Sequence, residues 1–192
     1  MSSASAEAAR LTRQWLQQVV IGLGLCPFAV QPTRENRVRI QVSDCATELD
    51  LLETLHDELT LLDEQPATAL ETTLLVIPDM LADFDDYNQF LDRADALLTQ
   101  FGWEGKYQVA SFHPQYRFAG VAADAAENLT NRAPFPILHL IREDSLAEAL
   151  ANVAHPEDIP AQNIRQMNTL SAERTEKLFP WLFGAGHRPP SD

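Results

Sequence analysis

The residues best suited to chemistry are concentrated in one stretch, Ser111–Glu143, which holds two of the five histidines and three of the fourteen Lys/Arg residues. It runs from the end of one predicted strand to the end of the next. Between those strands lie about twenty residues with little helical or strand periodicity, and a connection of that length is commonly a functional loop. We therefore expect a small-molecule site on this loop.

Two residues near the start of the loop are candidates for proton transfer. His113 stands where the strand ends and Pro114 turns the chain, and imidazole is a general base near neutral pH. Tyr116 would act as a proton donor or hydrogen-bond partner. The alternative role for His113 is a hydrogen bond that stabilises the turn. His139 ranks below His113, because a lone histidine among strand isoleucines is more often a core residue.

Three arginines, Arg117, Arg132 and Arg142, are the expected anion-binding residues, together with Asn131. A guanidinium group recognises carboxylate or phosphate through paired N–H donors. Asn131 and Arg132 precede a segment with two prolines, which restricts the directions that their side chains can take. The alternative is that the arginines pair with acids of the same stretch or of the acidic helices.

Cys26 is a candidate nucleophile from outside the loop. The segment Cys26–Ala29 resembles a glutaredoxin-type dithiol motif whose second cysteine is replaced by alanine, and a thiolate at a helix N-terminus has a lowered pKa. The segment follows a predicted helix, and Cys45 has the wrong spacing for a resolving partner, so packing is the competing role. Cys26 also forms a candidate metal-ligand set with His113 and His139, although their spacing lacks the patterns typical of metal sites.

The charge of the chain limits the class of partner. Its 192 residues include 14 Lys+Arg and 28 Asp+Glu, for a net charge of −14. Nucleic acids and anionic membranes require a cationic face, so neither is an expected partner. Fifteen acids and one base fall between Asp44 and Asp95, whereas Ser111–Glu143 carries three of each. A small anionic metabolite is therefore the expected ligand of the loop.

The sequence favours a cytoplasmic location. Two cysteines are too few for a disulfide scaffold and fit a reducing compartment. The apolar run Val19–Leu25 is too short for a signal peptide, and Leu25 precedes Cys26 where a lipoprotein signal needs a small residue. No run reaches the roughly eighteen apolar residues of a membrane span.

Apolar periodicity predicts four strands, Val38–Val42, Thr72–Ile77, Tyr107–Phe112 and Ile137–Arg142. A first helix begins near Ser5 and is stopped by Pro27, with Gln31–Asn36 as a loop after it. Asp44 and Asp83 are the expected N-caps of two further helices. Leu49 and Phe101 are among the apolar residues that those helices are expected to bury.

A capping box, Ser145 with Glu148, predicts a short helix over Leu146–Asn152, and at least one more helix follows. The order α-β-α-β-α-β-β-α-α indicates an α/β (α+β) fold. Its mixed four-stranded sheet would have a thioredoxin-like or ferredoxin-like arrangement, in which the first strand–helix–strand unit pairs in parallel. We expect one domain over residues 1–183, with an N-terminal helix, and a loose tail over residues 184–192.

Three motifs stand out along the chain: Gly24–Ala29 (GLCPFA), Phe112–Phe118 (FHPQYRF) and Thr130–Glu143 (TNRAPFPILHLIRE). Together they resemble the bacterial domain-of-unknown-function 1415 family. The resemblance extends over most of the chain, from roughly Leu11 to Leu182. It implies a single cytosolic domain, and because the family carries no established activity it assigns no catalytic roles.

The leading functional hypothesis is a small cytosolic enzyme that acts on a small anionic metabolite through a His/Tyr/Arg site on the long loop. Three alternatives stay open. The chain would be a non-catalytic metal- or ligand-binding module, a thiol-redox protein that uses Cys26, or an acidic domain that binds a basic protein. The sequence identifies neither a cofactor nor an oligomeric state.

Overall fold

A computed structural model describes residues 2–183, so the tail expected over residues 184–192 lies outside the described part. The strands are β1 (Val38–Val42), β2 (Thr72–Val76), β3 (Tyr107–Phe112) and β4 (Ile137–Arg142). The α-helices are α1 (Ser3–Trp15), α2 (Val30–Arg34), α3 (Glu48–Glu64), α4 (Phe84–Gln100), α5 (Glu143–Ala151), α6 (Ile159–Asn168) and α7 (Ala172–Leu178).

The strands form one mixed sheet in the order β1-β2-β4-β3, which confirms the predicted class and the four-stranded sheet. β1 and β2 pair in parallel, as a strand–helix–strand unit requires. β4 lies between β2 and β3 and is antiparallel to both. An antiparallel strand inserted between two parallel ones is the split unit found in ferredoxin-like sheets.

This strand order brings three chain ends together at one edge of the sheet. Val76, the last residue of β2, pairs with Ile137, the first residue of β4. Phe112, the last residue of β3, pairs with the same Ile137. The connection from β3 to β4 therefore begins and ends beside the segment that leads from β2 into α4.

Both faces of the sheet are covered. α3 and α4 pack on one face, with Leu138 and Leu140 of β4 in that core. α1, α6 and α7 contribute to the core on the other face, which includes Ile137. Burial on both faces explains why neighbouring residues of β2 are apolar, with Leu74 in one core and Leu75 in the other.

Two boundaries differ from the sequence prediction near the N-terminus. The α-helical turns of α1 end at Trp15, and Leu16–Ile21 continue as a π-helix. The predicted loop over Gln31–Asn36 is wrong in part, because Val30–Arg34 form α2. Pro32 lies in the first turn of α2, where a missing N–H breaks no intrahelical hydrogen bond.

Two of the predicted caps are also wrong. Thr47 rather than Asp44 caps α3, since the Thr47 hydroxyl accepts the Asp50 N–H at 3.2 Å. α5 follows β4 directly from Glu143, which places Ser145 inside the helix and not at its cap. The prediction for α4 is confirmed, because the Asp83 carboxylate accepts N–H groups of the first turn.

Leu49 and Phe101 were expected in the core, yet they are 66% and 48% exposed. Phe101 follows the last turn of α4 and lines a concavity between α3 and α4, and Leu49 lies in the first turn of α3. Among residues 2–183, no helix has both the length and the apolarity needed to cross a bilayer.

Candidate functional site

The β3–β4 connection, residues 113–136, is held in shape by a buried asparagine. Asn128 lies on a short 3-10 helix, Ala126–Asn131, and is fully buried. Its amide oxygen accepts the Phe118 N–H at 3.1 Å, and its nitrogen donates to the Ala122 carbonyl at 2.8 Å. A buried amide satisfied on both sides ties the two halves of the loop together.

His113 is fully buried where the loop leaves β3. Its Nδ1 accepts the Gln115 N–H at 3.0 Å, so Nε2 carries the proton and donates to the Leu81 carbonyl at 3.0 Å. The ring lies against Phe84 and Tyr87, with centroids 5.3 and 5.1 Å away. Burial lowers the pKa of His113, which keeps the ring neutral.

These contacts leave His113 without a free ring nitrogen for a substrate or a metal. They match the turn-stabilising alternative: the ring joins the start of the loop to the segment before α4. The His113 carbonyl also accepts the Tyr116 N–H at 3.1 Å, which closes a β-turn with Pro114 at its second position. His113 thus positions Tyr116.

Asn131 and Arg132 close the base of the loop. Asn131 donates to the Ser111 carbonyl at 3.1 Å, and its own carbonyl accepts the His113 N–H at 3.2 Å. The Arg132 guanidinium donates to the carbonyls of Tyr116 at 3.3 Å and Ala123 at 2.7 Å. Burial lowers the pKa of Arg132. Both side chains are therefore engaged with backbone groups rather than aimed into a cleft.

A cleft of about 520 Å³ opens beside this loop, a size within the usual range for small-ligand sites. The Tyr116 ring forms its aromatic wall, 5.2 Å from the Phe84 ring and 5.0 Å from the Phe118 ring. Phe84 and Asn88, one turn apart on α4, also line the cleft. Gly120 has a φ of +75°, which a glycine adopts without strain at this bend. The lining residues are Phe84, Asn88, Tyr116, Arg117, Phe118, Ala119, Gly120 and Val121.

Arg117 is the one charged residue in the lining of that cleft. Its side chain is exposed. Within residues 2–183, no carboxylate lies in ion-pair distance of its guanidinium. Asp85 and Asp86 lie in the first turn of the neighbouring α4 but do not line the cleft.

Arg142 lies at the opposite end of β4 from the loop and does not join the site. Its guanidinium donates to the carbonyls of Leu62 at 2.5 Å, Gln65 at 2.7 Å and Leu70 at 3.1 Å. It also donates to the Tyr107 hydroxyl at 3.2 Å. The side chain therefore caps the C-terminal end of α3, and its donors face backbone carbonyls there and not the loop that holds Arg132.

We expect Arg142→Lys to lower the free energy of unfolding by about 2 kcal/mol. The planar guanidinium donates to several carbonyls at once, and a single ammonium group cannot reach all of them. Urea unfolding followed by circular dichroism measures the loss. Arg174→Lys, at an exposed position of α7, is the control and should change stability little. A loss below about 0.5 kcal/mol for Arg142→Lys would contradict the capping role.

His139 is on the other face of the sheet from His113. Its Nε2 is 2.8 Å from the Thr72 hydroxyl, which itself donates to the Leu140 carbonyl, so His139 is the donor to Thr72. The ring packs near Phe112, with centroids 6.2 Å apart. Burial lowers the pKa of His139 to about 4. His139 is half-buried and its Nε2 is engaged with Thr72, which matches the structural role that the strand isoleucines favour over ligand binding.

Cys26 is remote from His113 and packs against the core on the face of His139. It precedes a short 3-10 helix, Pro27–Ala29. Burial raises the pKa of the Cys26 thiol, and the opposing effect of N–H groups from Phe28 and Ala29 is smaller. The thiol is thus protonated at neutral pH, which disfavours the thiol-redox hypothesis.

The metal set Cys26, His113 and His139 is not assembled. His113 and His139 lie on opposite faces of the sheet, and both nitrogens of His113 have backbone partners. In the described part of the chain, no group of three or more His, Cys, Asp or Glu side chains is arranged as metal ligands would be.

The structure thus divides the predicted site residues into three groups. Tyr116 and Arg117 line the cleft, and His113, Asn131 and Arg132 support the loop that carries them. Sequence reasoning missed Phe84, Asn88 and Asn128. The sequence shows that Phe84 and Asn88 lie four residues apart and share one face of α4. Only the fold shows that this face lies beside the loop. Cys26, His139 and Arg142 lie elsewhere.

Comparison with curated proteins found no match, and comparison with solved structures found none either. The model of one family, described as "Protein of unknown function (DUF1415)", matches residues 7–177. That range covers most of the 192 residues and contains all the motifs that suggested the resemblance. The chain therefore belongs to the DUF1415 family.

Proposed function

We propose that the protein binds a small anionic molecule with a flat apolar part in the Tyr116 cleft, defined by the lining residues above. The observation that carries the proposal is the charge of the lining. It has one cation, Arg117, and no acid, although the chain as a whole carries −14. Because this cleft has a cation and lacks acids, it favours an anionic ligand over a cationic one.

The chemistry of the lining supports a ligand with two parts. Guanidinium binds a carboxylate or phosphate group through paired hydrogen bonds. The rings of Phe84, Tyr116 and Phe118 offer apolar faces and edges for a planar group. The Asn88 amide and the Tyr116 hydroxyl supply hydrogen bonds that would orient the ligand.

Any reaction on such a ligand would use the Tyr116 hydroxyl, because the other lining side chains offer only hydrocarbon, amide or guanidinium groups. The proposal departs here from a His113 acid/base mechanism, because the two His113 nitrogens are committed to Leu81 and Gln115. His113, Asn131 and Arg132 would then be positioning residues.

Phenyl phosphate is a suitable probe, since it joins a phosphate to one aromatic ring. We expect Arg117→Ala to weaken its binding about tenfold, because a charge-assisted hydrogen bond contributes about 1.5 kcal/mol or more. Binding is measured by two-dimensional NMR titration, with shifts expected at residues 116–121 and 84–88. Arg165→Ala is the matched control, because Arg165 is exposed on α6 and does not line the cleft.

Two further ligands separate the contribution of the aromatic ring from that of the negative charge. Inorganic phosphate lacks the ring and benzyl alcohol lacks the charge, so both should bind more weakly than phenyl phosphate. The proposal fails if all three bind alike, if shifts map away from the cleft, or if Arg117→Ala and Arg165→Ala have the same effect.

A further inference from the structure

A second concavity, of about 670 Å³, lies on the outer side of the helical layer. It runs between α3 and α4, far from the β3–β4 loop in sequence, and we call it the α3–α4 groove. Leu52 of α3 and Ala96, Leu97 and Phe101 at α4 give it an apolar floor and walls. His56 stands in it with its ring 4.4 Å from that of Phe101.

The groove and its continuation along the first turn of α3 carry large apolar side chains that face solvent. Leu49, Phe101 and Phe183 are the exposed large hydrophobic residues in the described chain. Phe101 lines the groove. Leu49 lies just beyond the lining and continues the α3 stripe of Leu52 and His56 by one turn, because residues three and seven apart share a helical face. Exposed apolar groups gathered at one concavity mark a site of contact with another molecule.

The charge beside the groove has one sign. Four exposed acids, Asp50, Glu53, Asp57 and Glu64, recur along α3 at spacings of three, four and seven residues, so they form one row on a helical face. Arg93 is the cation of the lining, and its charge is already matched by Glu48. The net field at this surface is therefore negative.

Three possible occupants differ in how they would meet this surface. A second copy of the chain would bring the acid row of α3 against another acidic surface. A small molecule inside the groove would leave Leu49 uncovered. A helix fits both features, because apolar residues at i, i+3 or i+4, and i+7 span roughly 10 Å, the distance from Leu49 to His56 along α3.

We propose that the α3–α4 groove binds an amphipathic helix of another protein, with its apolar side chains between α3 and α4 and its Lys or Arg residues against the acid row. Such binding places apolar anchors in the groove and pairs the rim by charge. This site is separate from the Tyr116 cleft, so either proposal can fail without the other.

Selection from a randomised sixteen-residue peptide library on the full-length protein tests the proposal. The enriched peptides should carry apolar residues at i, i+3 or i+4, and i+7, with an excess of Lys and Arg between them. The most enriched sequence is then synthesised, and its dissociation constant is measured by fluorescence anisotropy. We expect Leu49→Asp to weaken binding at least about tenfold, since an exposed position tolerates the change but the groove loses an anchor.

Charge reversal provides the second arm. We expect the triple variant Asp50→Lys, Asp57→Lys, Glu64→Lys to bind the peptide about tenfold more weakly or worse, mainly because association is slower. The matched triple Asp144→Lys, Glu148→Lys, Glu173→Lys changes exposed acids on α5 and α7 and should leave binding within about twofold. Phe183→Asp is the matched apolar control.

Four results would overturn the proposal. The enriched peptides could lack the helical pattern, or a scrambled peptide of the same composition could bind as well as the selected one. The two charge-reversal triples could weaken binding equally. Light scattering could also show a stable dimer that Leu49→Asp dissociates, which would make a second copy the occupant.

Discussion

His113→Ala is expected to lower the free energy of unfolding by about 3–4 kcal/mol. The change empties a fully buried site and leaves the Leu81 carbonyl and the Gln115 N–H without partners. A cavity and two lost hydrogen bonds together reach that magnitude. Because small domains are stable by only about 5–15 kcal/mol, the loss is large. Urea unfolding followed by tryptophan fluorescence measures it.

Conservative variants separate the two hydrogen bonds of His113. An asparagine oxygen occupies a position close to Nδ1, so His113→Asn should keep the Gln115 bond and recover part of the loss. His113→Gln places its amide nitrogen nearer to Nε2 and should keep the Leu81 bond instead. His155→Ala is the control, because His155 is 72% exposed. If His113→Ala costs less than about 1 kcal/mol, the histidine does not support the loop.

The free energy of unfolding should fall by about 3 kcal/mol between pH 6.5 and pH 4 because of the protonation of His139 alone. The folded-state pKa of His139 is about 4, whereas an unfolded histidine titrates near 6.5. As the pH falls below 6.5, His139 binds a proton in the unfolded chain before it does so in the folded protein. The contribution of neutral His139 to stability is therefore complete above pH 6.5 and is lost as the pH falls to 4. The difference of about 2.5 pKa units sets the magnitude.

The variant His139→Gln isolates this contribution. Glutamine does not titrate, and its amide can still donate to the Thr72 hydroxyl, which accepts from His139 in the native protein. The free energy of unfolding of each protein is measured by urea titration at intervals from pH 7.5 to pH 4. Its fall should be about 3 kcal/mol smaller in the variant. Equal pH profiles would show that His139 is protonated in both states or in neither.

The four strands and the parallel β1–β2 pair were predictable from the sequence, whereas the strand order β1-β2-β4-β3 was not. Alternating and continuous apolar runs placed all four strands, because the residues that a strand buries are determined locally by its pleat. The strand–helix–strand order implied the parallel β1–β2 pair in the same way. The resemblance in three motifs was likewise sufficient to identify the family that matches residues 7–177.

The helix caps and the short helices could be predicted less well from the sequence than the strands could. Thr47 and Asp44 are both good N-cap residues, and only the course of the chain after β1 selects Thr47. Leu49 and Phe101 follow the apolar period of their helices, but periodicity does not show whether a neighbouring helix leaves a gap. Phe101 stays exposed because it lines the open concavity between α3 and α4.

The roles of the chemically capable residues were decided by the tertiary structure. The sequence placed His113, Asn131 and Arg132 on a functional loop, and they are indeed there. Whether a polar side chain binds a ligand or a backbone group depends on which carbonyls and N–H groups lie within about 3 Å, and most of those come from distant segments. Leu81 reaches His113 only because β2 and β3 end, and β4 begins, at one edge of the sheet. The same packing leaves Tyr116 and Arg117 facing the cleft, which no local pattern in the chain reveals.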